Sequence, residues 1–217
     1  MEIDILPKMS RAQIHMVFIV VPRFNIATLI TMIETLRIAN YLAPTSIFSW
    51  EVASFDGSKI TASNGMTATI TTANDSLQAA EFVFILGSWG TEHYHNQRLT
   101  AWLRKRARAG ERICGVELGS YIVARAGLLD GKLATIHWSW LNGFKENFDR
   151  VEVEESLFTL DSKVMTCSGG LAGVDLMLRL IEELSGSSFS GEIADQMLHH
   201  PIRSAVSPQR STMGRST

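Results

Sequence analysis

Apolar residues in this chain fall into two alternating patterns: short unbroken runs, and longer stretches where they recur every three or four positions. The first run, 14–21 (I-H-M-V-F-I-V-V), reads as a buried strand closed by Pro22. After a loop at Phe24 and Asn25, the spacing of Ile26, Leu29, Ile30, Ile33, Leu36 and Ala39 predicts a helix over 26–42. Residues 48–54 give a second strand with a turn at Asp56-Gly57, and 65–72 alternate β-branched and small residues as an edge strand would. Residues 81–86 (E-F-V-F-I-L) read as a central strand, followed by a loop at Gly87-Ser88-Trp89-Gly90 and a basic amphipathic helix over 96–109. Farther on, 133–136 is short and strand-like, 139–148 helical, 151–153 and 157–160 a small β excursion, and 164–167 a strand ending in Ser168-Gly169-Gly170. A strong helix is expected at 171–184 and a weaker one at 191–199. Beyond Pro201 the chain is rich in Ser, Arg and Thr and reads as disordered.

Strands alternating with helices imply an α/β fold, a mostly parallel sheet with helices on both faces. Ligands in such sheets sit at the carboxyl ends of the strands. Those ends are Phe24-Asn25, 87–90, Glu117-Leu118 and 168–170.

The sharpest local signal lies between Glu111 and Trp138. The apolar run 113–116 ends at Glu117, a glycine follows two residues later, and helical spacing resumes over 121–129. This strand, tight turn and helix is the geometry that exposes a nucleophile in α/β hydrolases. Here the apex is a carboxylate, which suits acyl transfer poorly. Glu117 reads either as a capping acid at a helix N-terminus or as a ligand-facing carboxylate that the helix dipole keeps ionised. Cys114, inside the strand, sits in apolar surroundings that raise a thiol pKa, and Cys167 reads by default as a small buried hydrophobe. His137 is placed either to partner Glu117 or to play a structural part. Trp89, Trp138 and Trp140 fall near strand ends, and aromatic faces beside a carboxylate suit a quaternary ammonium. The expected pocket therefore takes Phe24, Asn25, Ser88, Trp89, Glu117, Leu118, His137 and Trp138, with no catalytic residue.

Composition narrows the rest. With 46% hydrophobic and 19% charged residues, the chain can bury a substantial core, and its net charge of −2 gives no bulk attraction to nucleic acid or membrane. Two cysteines in 217 residues make no disulfide framework, which favours a reducing cytoplasm. No stretch approaches the ~20 apolar residues that span a bilayer, and residues 1–13 do not read as a signal peptide. His93 and His95 lack a third ligand at zinc spacing, so no metal is expected, and no cofactor. The run 104–108 (R-K-R-A-R) reads as the solvated face of its helix.

Several separated motifs carry a resemblance: P-R-F-N-I at 22–26, E-T-L-R-I-A-N at 34–40, T-A-S-N-G at 61–65, A-G-L-L-D-G at 126–131, A-T-I-H-W at 134–138, T-C-S-G-G-L-A-G-V-D-L-M-L at 166–178 and D-Q-M-L-H-H-P-I-R at 195–203. From about Ile14 to Arg210 the chain resembles the amidase-like sensor domain of GlxA-type AraC-family transcriptional regulators. The resemblance implies a class I glutamine amidotransferase-like (ThiJ/PfpI, flavodoxin-like) sandwich. Enzymatic relatives have a cysteine where Glu117 stands, whereas V-E-L-G is similar to the glycine betaine- and carnitine-sensing regulators. The resemblance thus implies a non-catalytic, ligand-sensing domain in a cytoplasmic homodimer. It also implies DNA contact only through a C-terminal helix-turn-helix domain not present here, so the chain looks like an excised sensor or a truncated regulator. On this reading 1–12 is an extension, 13–203 the sensor, and 204–217 a flexible tail or the start of a linker. The alternative is a cysteine-dependent enzyme of the ThiJ/PfpI type, an amidase, protease-like or glyoxalase-like hydrolase using Cys114 or Cys167 with His137. A third class is a stress-response or structural homologue without a ligand.

Overall fold

A computed structural model describes residues 13–70, 72–73 and 76–210; the expected extension at 1–12 and the last part of the tail, 211–217, lie outside them. Eleven strands and six helices follow one another among the described residues. The strands are β1 (Ile14–Val20), β2 (Phe48–Ser54), β3 (Lys59–Thr61), β4 (Thr67–Thr69), β5 (Thr72–Ala73), β6 (Phe82–Gly87), β7 (Arg112–Glu117), β8 (Leu133–Ala134), β9 (Glu152–Val153), β10 (Phe158–Thr159) and β11 (Val164–Cys167). The helices are α1 (Ile26–Leu42), α2 (Gln97–Arg108), α3 (Gly119–Arg125), α4 (Leu141–Asn147), α5 (Ala172–Ser185) and α6 (Ser187–Gln196).

Seven strands form one sheet in the order β10-β11-β7-β6-β1-β2-β5, parallel throughout except for β10. The pleat divides each apolar run between two cores. Met16, Phe18 and Val20 of β1, with Phe82, Phe84 and Leu86 of β6, face α1, α5 and α6. Val17 and Ile19, with Val83 and Ile85, face α2, α3 and α4. Both faces of β6 are covered, which is why it reads as an unbroken apolar run.

Helix ends are fixed by asparagines. Asn25 Oδ1 accepts from the N–H groups of Ala27 and Thr28 to start α1, and Asn96 Oδ1 accepts from Leu99 N–H to start α2. Asn40 then clamps the start of β2: its amide donates to Phe48 O at 2.8 Å and its Oδ1 accepts from the N–H groups of Ile47 and Phe48.

Three elements differ from the sequence expectation. Residues 65–72 are no single edge strand: β4 pairs antiparallel with β3 in a separate hairpin, and β5 takes the sheet edge. The last helix begins at Ser187, not 191, because Gly186 (φ 93°) makes a sharp break after α5 and lets Ser187–Ser190 turn immediately. Residues 201–210 are not loose: Leu157 N–H donates to Ala205 O, and Arg203, Gln209 and Arg210 all bond to the body.

Candidate functional site

The parallel sheet brings the ends of β1, β6, β7 and β11 to one edge. There Asn25, Ser88, Trp89, Glu117, His137, Trp138, the 168–172 turn, Arg203 and Gln209 line a cavity of about 460 Å³. Glu117 stands at the apex between β7 and α3 with φ 55°, a left-handed conformation unusual for a non-glycine residue. Three glycines let the elbow close. Gly119 places its Cα where a Cβ would lie 1.9 Å from Ile85 O. Gly115 lets Ser120 approach its own backbone, and Gly87 makes room for Thr91. A fourth, Gly169 (φ 89°), leaves room for the Glu117 side chain itself, since a Cβ there would lie 2.7 Å from Glu117 Cβ and 2.8 Å from its Oε2.

The loop after β6 is held from the other side. Arg125 of α3 donates to the carbonyls of Thr91, Glu92 and Tyr94, which fixes the turn carrying Ser88 and Trp89. Ser88 Oγ then donates to Glu117 Oε1 at 2.7 Å. Oε2 is buried and takes no well-formed hydrogen bond among the described residues, although the Asn25 side chain lies near enough to favour the ionised form.

Burial pushes the Glu117 pKa up from its ordinary value of 4.5, and the side chains of Ser88 and Asn25 pull the other way. The sequence reading had the helix dipole keep this carboxylate ionised. Desolvation is the larger effect, because only 6% of the residue is exposed and α3 is two turns long. A folded pKa above the unfolded one means that the group's stabilising contribution is complete below about pH 4.5 and is lost as the pH rises through the folded value. Glu117→Gln keeps the acceptor for Ser88 and cannot ionise. It is expected to melt with the parent at about pH 4 and above it near neutrality. A melting difference that does not widen with pH would contradict a buried, destabilised carboxylate.

The other expected site residues divide. Asn25, Ser88, Trp89, His137 and Trp138 all line the cavity with Glu117. Phe24 and Leu118 do not: both are fully buried, Phe24 in the α1/α5 core and Leu118 in the α2/α3 core. Each adjoins a lining residue along the chain, and the pleat or turn aims its side chain inward. His137 offers Nδ1 to Ser139 Oγ at 2.8 Å rather than to Glu117, and burial lowers its pKa, which favours the neutral ring. Trp140 is half-buried against the α2/α3 core, while Trp89 and Trp138 stay 59% and 42% exposed at the rim.

Sequence reasoning missed Ser63, Leu157, Leu171, Ala172, Arg203 and Gln209. It had marked 168–170 as a strand end without carrying it into the site. Leu171, 59% exposed beside a glycine pair, could have been found from that end; Arg203 and Gln209 carry no sequence signal.

Both thiols are shielded from solvent. Cys114 and Cys167 are free and fully buried. Burial drives the Cys114 pKa well above its usual value and that of Cys167 up to about 12. Among the described residues no group of three or more His, Cys, Asp or Glu side chains could hold a metal ion, and no helix is long and apolar enough to cross a membrane.

Residues 19–183 match the DJ-1/PfpI family. The chain is 33% identical over 193 residues to the HTH-type transcriptional regulator CdhR of Pseudomonas aeruginosa, covering 89% of this chain and 57% of that protein. It is 33% identical over 204 residues to the HTH-type transcriptional regulator GbdR of the same species, covering 94% and 56%. A more distant relative, isonitrile hydratase of Pseudomonas putida, is 26% identical over 143 residues, covering 65% and 62%. The chain thus spans little more than half the length of the curated regulators it matches. Its fold matches the crystal structure of an AraC family transcriptional regulator from Pseudomonas putida with a TM-score of 0.77 at 22% identity, covering 85% of this chain and 99% of that one.

Proposed function

The chain belongs to the DJ-1/PfpI family, and on that premise we propose that it is the non-catalytic, small-molecule-sensing module of a transcriptional regulator. Its cavity takes a cationic or zwitterionic metabolite such as a quaternary amine. The observation that carries this reading is Glu117 Oε2, a carboxylate oxygen buried in a cavity without a well-formed hydrogen bond, with two exposed tryptophans at the rim. A buried polar group without a partner is unfavourable. A ligand cation would compensate it, and aromatic faces add about 0.5–2 kcal/mol per contact without needing a hydrogen-bond acceptor.

The regulators it resembles support the same reading, as does the carboxylate where an enzyme of this architecture would present a nucleophile. The alternative is a cysteine-dependent amidase or hydrolase of the ThiJ/PfpI type, and a relative that is an enzyme, isonitrile hydratase, keeps catalysis in view. The burial and raised pKa of both thiols argue against it. Self-association as a homodimer, a cytoplasmic location, and DNA contact through a helix-turn-helix domain outside these residues belong to the proposal.

Calorimetric titration with choline, glycine betaine, carnitine and arginine tests it. Glu117→Gln removes charge at constant size and is expected to weaken choline at least about tenfold, the equivalent of 1.4 kcal/mol. A cation favours the ionised carboxylate, so choline affinity should rise with pH in the parent and not in the variant. Equal affinity in the two proteins, or a preference for an anion, would rule this pocket chemistry out.

A further inference from the structure

The segment after Pro201 is one wall of the cavity, and it is fastened there through side chains. Arg203 clamps the buried Asp175 carboxylate through Nε at 3.0 Å and Nη2 at 2.6 Å. Gln209 reaches into the body with both ends of its amide. Nε2 donates to Ile136 O at 2.9 Å and Ser156 O at 2.8 Å, and Oε1 accepts from Trp138 N–H at 2.7 Å. The next residue, Arg210, pairs with Glu155 through two nitrogens and places its guanidinium 4.8 Å from the centre of the Trp138 ring. The segment therefore holds the backbone and the ring of one cavity residue at the same time.

Trp138 is also one of the two rim tryptophans, and its ring already carries a cation supplied by the chain itself. Two cations do not share one indole well. On the same face they exclude each other. On opposite faces each draws on the same π density and weakens the other's hold, in addition to direct charge repulsion.

We propose that residues 203–210 form a strap latched to the cavity wall, with Arg210 as a built-in cation that a small cationic ligand displaces from Trp138, so that occupancy of the cavity releases the strap. This rests on the ligand reading above and goes beyond it, because it makes the strap the element through which occupancy is reported. Linkage then requires reciprocity: whatever loosens the strap tightens the ligand by the same factor.

Hydrogen exchange on the whole chain reads the latch at amides whose partners belong to the strap. These are Leu157 N–H on Ala205 O, Trp138 N–H on Gln209 Oε1, and Ser207 N–H on Ser204 O within the strap. Saturating choline or glycine betaine is expected to speed exchange at these three and to leave the central β6 unchanged. Gln209→Ala should speed it with no probe present. Arg210→Gln should bind choline about two- to fivefold tighter, the size of one exposed cation–π contact.

Unchanged or slower exchange with bound probe overturns the coupling, as does an Arg210→Gln variant that binds choline no tighter. Unchanged exchange in Gln209→Ala overturns the latch itself. Calorimetry on the same samples separates the two readings. Heat without strap release sinks the coupling alone, whereas no heat from either probe sinks the ligand reading and the coupling with it.

Discussion

Gly119→Ala is expected to cost about 3 kcal/mol or more of folding stability. The reason is a backbone collision rather than a side-chain one. The added Cβ would sit 1.9 Å from Ile85 O and 2.8 Å from Ile85 C, both in β6, at the centre of the sheet. A flexible side chain could swing away, but a carbonyl fixed in a parallel ladder between β1 and β7 cannot. Either α3 lifts off the sheet, breaking Leu118 N–H to Gly87 O, or β6 bows and disturbs both neighbours. Gly143→Ala is the control. It also lies in a helix, α4, but its Cβ would meet only Tyr121 Oη at 3.5 Å, an ordinary contact. Helix propensity alone favours alanine there by about 0.8–1 kcal/mol. Urea denaturation of the pair measures the contrast. If Gly119→Ala unfolds within about 1 kcal/mol of the parent, the close approach of α3 to β6 is wrong.

Asp175→Ala is expected to be the next most damaging change. Asp175 lies in α5 with no exposed surface, and its two oxygens accept four hydrogen bonds. They come from His199 Nε2, from Arg203 N–H, and from Arg203 Nε and Nη2. Removing one partner of a buried ion pair costs about 3–5 kcal/mol because the other charge is left uncompensated. The Arg203 side chain is 37% exposed and can turn to water, so about 2–4 kcal/mol is the better expectation. The change should also loosen 199–203 at α5, since Asp175 anchors that turn through His199 and Arg203. Chemical denaturation gives the cost, and exchange at the Arg203 amide gives the loosening. A variant as stable as the parent, with that amide still protected, would mean the carboxylate is not the anchor.

The parts of the fold that could be read in advance are those where periodicity runs long. Helix α1 and strands β2 and β11 lie where the apolar spacing placed them, because each is bounded by a cap, a turn or a glycine pair that stops the pattern. Glu117 was equally legible as an apex, since a short apolar run, a carboxylate and a glycine two residues on leave the chain little choice but a tight turn. The direction in which its pKa moves was not. The argument from helix polarity left out desolvation, which depends on how far Gly169 lets the side chain sink and is invisible along the chain. Phe24 and Leu118 were misplaced for a geometric reason: neighbours of a lining residue at a strand end point elsewhere. The segment 201–210 was misread for a chemical one. Serine, arginine and proline make a poor core, yet this segment needs none, because one glutamine, two arginines and the Ala205 carbonyl fasten it by hydrogen bonds to polar groups of the body.

The sheet borders have a consequence for how this protein behaves when crowded. A foreign strand can add to a sheet only where a row of backbone donors and acceptors faces solvent, and its gain grows with the length of that row. Here the borders are β10 and β5, each two residues long, and β10 runs against the direction of its neighbours. The rows that these two strands themselves offer to a templating chain are short. The most apolar strands, β1 and β6, which would make dangerous templates, are sealed between partners at the middle of the sheet. The strand order thus keeps the segments best suited to template a foreign chain away from the borders, without relying on surface charge.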